Sequence, residues 1–201
     1  MSVWGVVVAA GAGSRFGGLK QLAELRGEPT WMWSRKQLLA GGVDEVIVVG
    51  PVEGGVPGGA RRRDSVSAGL ACVPSDVEFV LIHDAVRPLA SAELVKRVID
   101  GLGVGDPDGV VPVIPVRDTL KEVAGGMVVA TRDRSNLVIA QTPQGFRMKT
   151  LARAHALFEG DASDDASMVE AIGGTVVWVE GDPRNLKLTY PEDLAVLEAL
   201  I

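Results

Sequence analysis

Short β-branched runs alternate with helical patterns along the first half of the chain. The first run, Val6-Val7-Val8, precedes a helical pattern that Thr30 is expected to cap and that ends at Gly41-Gly42. Apolar runs bounded by turn residues are typical of buried strands, and apolar residues at helical spacing indicate helices. Strands at 45–49, at 78–82 and from 109 then alternate with helices at 65–70 and 91–99. This order predicts an α/β, Rossmann-like fold, with helices on both faces of a mostly parallel sheet.

The pattern changes between residues 113 and 140. Two segments of alternating apolar and polar residues flank Gly125-Gly126 there, and this arrangement predicts a β-hairpin with a tight turn. An isolated hairpin is only marginally stable in water, so this one needs a surface on which to lie. A second subunit would supply that surface. We therefore expect a protruding β-hairpin arm at about 113–140 that mediates dimerisation.

The remainder of the chain returns to the alternating pattern. It predicts helices over 149–158 and 164–172, a strand over 175–179, and a final helix with a capping box from Thr189 to Glu192. No repeat and no long linker divides these segments. The whole chain of 201 residues is therefore expected to form a single domain, with the arm as its one projection.

The stretch from Ala9 to Lys20, here called the glycine-rich loop, follows the first strand and carries the first candidate chemistry. Its four glycines allow a tight turn and let a ligand approach the backbone closely. Successive backbone N–H groups in such a turn form an anion-binding concavity, to which Arg15 and Lys20 add permanent positive charge. The loop lacks the G-x-x-x-x-G-K-S/T spacing, which excludes a P-loop NTPase. Because open α/β sheets bind ligands at the carboxyl ends of their strands, we expect a polyphosphate site here.

Composition narrows the class of protein. Hydrophobic residues make up 47% of the chain, which is enough for one full core. The net charge of −6 argues against a nucleic-acid partner, which would require a basic face. A single cysteine, Cys72, cannot form an internal disulfide, and this favours a reducing cytoplasm. Without a signal-like segment or a long apolar span, we expect neither secretion nor a membrane partner.

The glycine-rich loop contains a recognisable signature, Ala9-Ala10-Gly11-x-Gly13-x-Arg15 followed by Lys20-Gln21. Three later segments accompany it in order, and these are Gly58 to Val66, His83 to Pro88 and Asn185 to Thr189. Together they resemble the 2-C-methyl-D-erythritol 4-phosphate cytidylyltransferase family of the non-mevalonate isoprenoid pathway, although Leu19 stands where that family usually has proline. The resemblance implies a homodimeric nucleotidyltransferase that uses Mg²⁺ to transfer CMP from CTP to a polyol phosphate, 2-C-methyl-D-erythritol 4-phosphate, and releases pyrophosphate.

The resemblance also implies roles for individual residues. Four cations would be catalytic, and these are Arg15, Lys20, Arg134 and Lys187. Residues in contact with CTP would be Ala9, Ala10, Gly11, Ala12, Gly13, Gly59, Ala60, Ser65 and Ala85, with Arg62 supporting their segment. The acceptor phosphate would contact Thr119, Arg134, Thr142 and Lys187, partly across the subunit boundary. Asp84, which follows an apolar strand, would hold Mg²⁺ because this ion takes oxygen ligands.

Simpler alternatives stay open. Each of these charges also fits an ordinary solvated side chain, and His83 is interpreted as a satisfied core histidine. At the level of function the alternatives are a ribitol-5-phosphate cytidylyltransferase, which shares these motifs, and a non-catalytic module that binds CTP. The lack of an obvious general base agrees with the transfer reaction, because a phosphate monoester has a second pKa of about 6 and is already anionic at neutral pH.

Overall fold

Eleven strands and six helices follow one another in this computed structural model, which describes residues 1–201. The strands are β1 (Val3–Val8), β2 (Glu24–Leu25), β3 (Glu28–Pro29), β4 (Glu45–Val49), β5 (Phe79–Asp84), β6 (Gly109–Pro115), β7 (Leu120–Ala124), β8 (Met127–Arg132), β9 (Val138–Ala140), β10 (Gln144–Arg147) and β11 (Val176–Glu180). The helices are α1 (Thr30–Ala40), α2 (Arg62–Leu70), α3 (Ala92–Leu102), α4 (Met148–Leu157), α5 (Asp165–Ala171) and α6 (Asp193–Ala199). Every strand and helix that the pattern predicted is present, with bounds that differ by a few residues.

The main sheet has seven strands, in the order β11-β6-β10-β5-β1-β4, with β9 paired to β6. Strand β1 runs parallel to both β4 and β5, and the register pairs Val8 with Val49 on one side and with Asp84 on the other. These three strands therefore end at the same edge of the sheet. The chain adds β4 on one side of β1 and then β5 on the other, so β1 marks the point at which the strand order reverses. Open α/β sheets bind their ligands at such points.

Helices cover both faces of this sheet, as the alternation predicted. On one face α1 and α3 pack through Leu38, Val95 and Val98, which belong to a buried cluster of 13 residues. On the other face α2, α4 and α5 pack through a cluster of 16 buried residues that includes Val66 and Leu151. Strand side chains enter both clusters because successive residues point to opposite faces. None of the helices has the length and apolar character that crossing a membrane requires.

Strand β10 is absent from the sequence prediction, and together with β9 it makes the sheet mixed. It lies between β5 and β6 and runs antiparallel to both. Its local signal is weak, because Phe146 is its only large apolar residue. Gly145 is needed where α3 packs on the strand, since a Cβ there would lie 2.8 Å from Val98 Cγ1. The antiparallel direction of β10 brings the preceding residue Thr142 to the edge at which β5 ends.

Two predicted helix caps are wrong. Thr30 is the first residue of α1, and its hydroxyl donates to the backbone oxygens of Lys20 and Gln21 at 3.2 Å each. At α6 no capping box forms, and the Asp193 carboxylate instead accepts the Thr189 N–H at 2.7 Å. In both cases a side chain forms hydrogen bonds with the backbone of a neighbouring segment. Thr30 thereby anchors the end of the glycine-rich loop to α1.

The predicted hairpin is confirmed as strands β7 and β8, which form a two-stranded sheet of their own. Gly125 and Gly126 make its turn with φ values of 56° and 78°, a left-handed conformation that glycine adopts without strain. The projecting arm, residues 116–137, is narrower than predicted because β9 pairs with β6. Large apolar side chains stay exposed on and beside the arm, and these are Val123, Met127, Val128, Val129, Leu137, Val138 and Ile139.

Gly69 lets α2 lie directly on β1 and β4, and we expect Gly69→Ala to destabilise the fold. A Cβ at this position would lie 2.5 Å from Val6 Cγ1 and 2.9 Å from Val49 Cγ2. Overpacking of this kind typically costs about 1–3 kcal/mol. Denaturant unfolding measures the loss, and Cys72→Ala, at an exposed position just beyond α2, is the control that should change little. Equal stability of the two variants would contradict this packing.

Candidate active site

A cavity of about 280 Å³ opens at the edge where β1 and β5 end. The glycine-rich loop, the segment that leads into α2, the end of β5 and the segment after β11 surround it. The cavity brings together most of the residues that the sequence singled out, namely Ala9, Ala10, Gly11, Ala12, Lys20, Gly59, Ala60, Ser65, Asp84 and Lys187. Residues from four separated parts of the chain therefore share one concave site.

The glycine-rich loop turns back on itself at Gly13. The Gly13 carbonyl accepts the N–H groups of Phe16 and Gly17 at 2.9 and 3.0 Å, and Gly13 has a φ of 65°. Residues other than glycine rarely adopt this conformation, so Gly13 is needed for the shape of the loop. Gly13 does not itself line the cavity. The backbone N–H groups of 10–12, which do line it, have no protein acceptor. They are available to an anion.

Asp84 is the only carboxylate that lines this cavity, and it lies between two cations. Lys187 Nζ donates to Asp84 Oδ2 at 2.7 Å, and Arg62 Nε donates to Asp84 Oδ1 at 3.3 Å. Burial alone would raise the pKa of the Asp84 carboxyl, but Arg62 and Lys187 outweigh burial and hold this pKa well below its usual range. Asp84 is therefore ionised at neutral pH.

Lys20 enters the cavity from the end of the glycine-rich loop. Its Nζ donates to the backbone oxygen of Leu188 at 3.2 Å, which leaves the other donors of the ammonium group for a ligand. Burial, and after it the charge of Lys187, lowers the pKa of Lys20. Two lysines that face one cavity repel each other, and an anionic ligand would relieve that repulsion.

A second cavity, of about 220 Å³, lies on the other side of Asp84 and is lined by Thr142. The Thr142 Oγ1 accepts the Asp84 N–H at 3.1 Å and lies 2.9 Å from His83 Nδ1. His83 Nε2 lies 3.2 Å from the Arg87 backbone oxygen, and because a carbonyl only accepts, Nε2 carries the proton. Burial lowers the pKa of His83 to about 4. The prediction of a satisfied core histidine is confirmed.

Several predicted residues lie outside both cavities. Ala85 is fully buried in the core, and Val86 lines the first cavity in its place. Arg15 is exposed on the glycine-rich loop and does not form part of the cavity wall. Thr119 and Arg134 are exposed at the arm and line neither cavity of their own chain. Within this chain, therefore, neither residue forms part of the wall of either cavity.

Asp165 is a candidate that the sequence pattern did not single out. It is fully buried at the start of α5, and its Oδ2 accepts from Arg62 Nη1 at 2.6 Å. Arg62 therefore bridges Asp165 and Asp84. Burial alone would lower the pKa of the Arg62 guanidinium, but the two carboxylates outweigh burial and raise that pKa above its ordinary value. The sequence contains one signal for Asp165, which is the segment Ser163-Asp164-Asp165. One acid is enough to cap the helix, so the second acid has no capping role.

Comparisons with known proteins point to one family. Residues 3–201 match the family model for IspD, 2-C-methyl-D-erythritol 4-phosphate cytidylyltransferase. A protein with that name from Rhodococcus jostii is 41% identical over 213 residues, covering 98% of this chain and 93% of the relative. The bifunctional enzyme IspD/IspF of Solidesulfovibrio magneticus is 42% identical over 228 residues, covering 98% of this chain and 56% of the relative.

Solved structures share the fold over nearly all of the chain. The crystal structure of 2-C-methyl-D-erythritol 4-phosphate cytidylyltransferase from Thermus thermophilus has a TM-score of 0.83 at 33% identity, covering 97% of this chain and 96% of that one. The bifunctional IspDF of Campylobacter jejuni has a TM-score of 0.84 at 27% identity, covering 98% of this chain and 55% of that one. The chain thus spans little more than half the length of the bifunctional relatives it matches.

We expect Arg62→Met to destabilise the protein strongly at neutral pH. The substitution removes the shared cation from Asp84 and Asp165, and breaking a buried pair in this way typically costs about 3–5 kcal/mol. In the unsubstituted protein, the lowered pKa of Asp84 contributes stability above the unfolded value of about 4, and this contribution is lost as the pH falls. The deficit of the variant should therefore be largest near neutral pH and shrink in acid.

Urea unfolding at neutral pH and at the lowest pH at which both proteins stay folded, well below about 4, measures this dependence. Arg61→Met is the matched control, because the exposed Arg61 pairs with the surface carboxylates of Asp64 and Asp161 and such pairs contribute little. An Arg62→Met deficit of equal size at both pH values would show that lost packing, and not an unpaired charge, is its cause.

Proposed function

Because this chain belongs to the 2-C-methyl-D-erythritol 4-phosphate cytidylyltransferase family, we propose that it transfers CMP from CTP to 2-C-methyl-D-erythritol 4-phosphate and releases pyrophosphate. The observation that carries the proposal is the cavity at the end of β1, which Lys20, Lys187 and the carboxylate of Asp84 line together beside free backbone N–H groups. Such a cavity suits a nucleoside triphosphate. The product would enter isoprenoid precursor biosynthesis, and a cytoplasmic location is part of the proposal.

In the proposed reaction an oxygen of the acceptor's phosphate attacks the α-phosphorus of CTP. A new P–O bond forms there, and the bond between the α-phosphorus and the bridging oxygen of pyrophosphate breaks. The attacking oxygen needs no general base, because the second pKa of a phosphate monoester is about 6. Catalysis then consists of holding two anions in line and offsetting their charge.

Two lysines are assigned to these two tasks. Lys20 ends the glycine-rich loop, and together with the free N–H groups of 10–12 it would bind the triphosphate and the leaving pyrophosphate. Lys187 lines both cavities, so it stands between the proposed nucleotide site and the proposed acceptor site. It would orient the attacking phosphate toward the α-phosphorus. Arg15 is proposed to add charge at the outer side of the triphosphate.

The cytosine base is proposed to lie against the segment from Gly59 to Ser65. The Ser65 Oγ accepts the Gly59 N–H at 3.1 Å and donates to the Arg61 backbone oxygen at 3.3 Å, which fixes this segment beside the cavity. Ala60 has no polar side chain, so its contact with the base would use its backbone. A backbone carbonyl accepts from the exocyclic amino group of cytosine but has nothing to accept from the matching oxygen of uracil.

Asp84 fits the requirements of a Mg²⁺ ligand. Mg²⁺ usually takes one or two carboxylates and completes its shell with substrate phosphates and water. Asp84 is ionised and lines the cavity. Asp84 would therefore hold the ion jointly with CTP. When bound, the ion would offset negative charge on the phosphates.

We further propose that the arm of one subunit completes the acceptor site of another in a homodimer. A two-stranded sheet is marginally stable alone, and contiguous exposed apolar residues mark interaction surfaces. The arm combines both features, with Val128 and Met127 exposed by 63% and 68%. Thr119 and Arg134 belong to this arm, and in the partner's second cavity they would contact the acceptor phosphate beside Thr142.

A pyrophosphate-release assay tests the reaction. Purified protein is given CTP, UTP or ATP together with either 2-C-methyl-D-erythritol 4-phosphate or ribitol 5-phosphate, with and without Mg²⁺. Release is expected with CTP and 2-C-methyl-D-erythritol 4-phosphate when Mg²⁺ is present. Faster release with ribitol 5-phosphate would reassign the acceptor. Binding of CTP without release for any acceptor would identify a non-catalytic module.

Lys20→Ala is expected to lower kcat far more than it lowers stability. Loss of one preorganised donor at a transition state typically costs roughly a hundred- to a thousandfold in rate. The free energy of unfolding should change little, because the ammonium group makes only one hydrogen bond to the protein. Steady-state kinetics with both substrates measures the effect, and Lys96→Ala, an exposed lysine on α3, is the control. Unchanged turnover would remove Lys20 from the proposed machinery.

Arg134→Ala is expected to raise the KM for the acceptor far more than the KM for CTP. Arg134 lines neither cavity of its own chain, so its proposed contact with substrate is made in the partner. Mixing Arg134→Ala with inactive Lys20→Ala should then restore part of the activity. In the mixed dimer one site keeps its own Lys20 and receives an intact Arg134, while the other site lacks both.

Subunit exchange in this mixture is verified with two affinity tags. An Arg134→Ala and Lys20→Ala double variant, mixed with the unsubstituted protein, is the control that creates no newly complete site. If exchange is verified and the two single variants gain no activity on mixing, Arg134 does not serve the partner's site.

A further inference from the structure

Arg62 is shared unequally between two carboxylates. Its Nη1 donates to Asp165 Oδ2 at 2.6 Å, whereas its Nε lies 3.3 Å from Asp84 Oδ1. A charge-assisted hydrogen bond of this type is usually about 2.7–2.9 Å long, so the bond to Asp84 is stretched. The guanidinium is drawn toward Asp165 and away from Asp84.

Asp165 is held in turn by His155. Both residues are buried, and His155 Nε2 lies 3.1 Å from Asp165 Oδ1. Because a carboxylate only accepts, Nε2 carries a proton, and in the neutral ring Nδ1 accepts from the Ser67 hydroxyl at 3.0 Å. Ser67 lies on α2, the helix that begins at Arg62. The contacts therefore form a closed circuit through α2, α4 and α5.

Neighbouring contacts fix this circuit in place. Arg63 Nη2 donates to the His155 backbone oxygen at 3.0 Å, which joins α2 to α4 a second time. Just before α5, Asp164 Oδ2 accepts from Gln144 Nε2 at 2.8 Å, which ties the start of that helix to β10. The residues on which the position of Asp165 depends are thus tied to neighbouring elements.

We propose that Asp165, oriented by His155, is a positioning residue that keeps Arg62 from closing on Asp84 and so leaves Asp84 able to take a divalent cation together with CTP. The inference rests on the proposed function for the identity of the ion and the nucleotide, whereas the position of Arg62 depends on neither. Neither Asp165 nor His155 lines either cavity, so neither would touch the substrates.

In the absence of Asp165, electrostatic attraction would draw Arg62 closer to Asp84. A guanidinium and a carboxylate favour two parallel hydrogen bonds, and without a competitor Arg62 would offer both to Asp84. If Asp84 accepted two bonds from Arg62 in addition to the one from Lys187, it would present fewer free lone pairs and less negative charge to Mg²⁺. Outer residues that orient a metal ligand typically change metal affinity by about 10–100-fold when they are removed.

Three variants test the proposal. Asp165→Asn keeps the shape of the side chain and removes the charge that competes for Arg62. His155→Phe removes the N–H donor, whereas His155→Gln places an amide N–H close to the position of Nε2 and should act as the conservative rescue. Two properties are measured: the Arg62 Nε–H resonance of the metal-free protein by NMR, and the Mg²⁺ concentration that gives half of the full effect on CTP affinity by calorimetry.

Asp165→Asn and His155→Phe are expected to shift the Arg62 resonance and to raise the half-effect Mg²⁺ concentration roughly tenfold. CTP affinity in EDTA should not weaken, and His155→Gln should stay close to the unsubstituted protein. A loss of folded structure would weaken CTP binding with and without Mg²⁺ alike. Asp108→Asn is the matched control, because it loses a carboxylate that accepts from Thr150 and Thr175 at the opposite edge of the sheet.

An unchanged Arg62 resonance, or an unchanged Mg²⁺ requirement in folded Asp165→Asn and His155→Phe, would overturn the proposal. If Asp165→Asn does not fold, the comparison of His155→Phe with His155→Gln decides alone. A protein that binds no CTP at all before substitution would contradict the proposed function instead. In that case the Arg62 resonance still decides whether Asp165 and His155 position this side chain.

Discussion

A carboxylate enclosed by protein keeps its charge only if cations replace the water it has lost. At Asp84, cationic side chains from two distant parts of the chain satisfy that condition. Arg62 comes from the start of α2 and Lys187 from the segment after β11, at 3.3 and 2.7 Å from its two oxygens. Asp165 balances the second cation, so the group of four charges is neutral. The same ion pairs that assemble the site also join distant parts of the chain.

The strands and helices around this group were predictable where a local pattern decides structure. Strands covered on both faces are apolar along most of their length, and β1, β4 after Glu45 and β5 before His83 have that composition. Strand β10 has no such composition, because contacts with β5, β6 and α3 decide its place. The Thr30 cap failed for a similar reason, since its hydroxyl donates to backbone oxygens that lie ten and nine residues earlier.

The candidate site likewise contains some residues that the sequence identified and one that it did not. The glycine-rich loop was found from its glycines and cations, whereas Asp84 and Lys187 were found because each belongs to a segment that resembles the family. Asp165 escaped notice because its neighbour Asp164 performs the local task, accepting the Ser167 N–H at 3.1 Å as the N-cap of α5. What distinguishes the two acids is burial, and burial is a property of the assembled layers. The spacing of residues within one segment therefore does not show which of the two acids is buried.

Strand β10 also sets the order in which the sheet can be completed as the chain leaves the ribosome. Strands β1, β4 and β5 are all present once Asp84 has emerged, but β5 keeps an open edge until β10 follows, ending at Arg147. In between, β6 and the arm emerge before β10, the strand that joins β6 to β5. Open strand edges start aggregation, and domains begin to fold during synthesis. A nascent chain paused within the arm therefore leaves the edge of β5 unpaired.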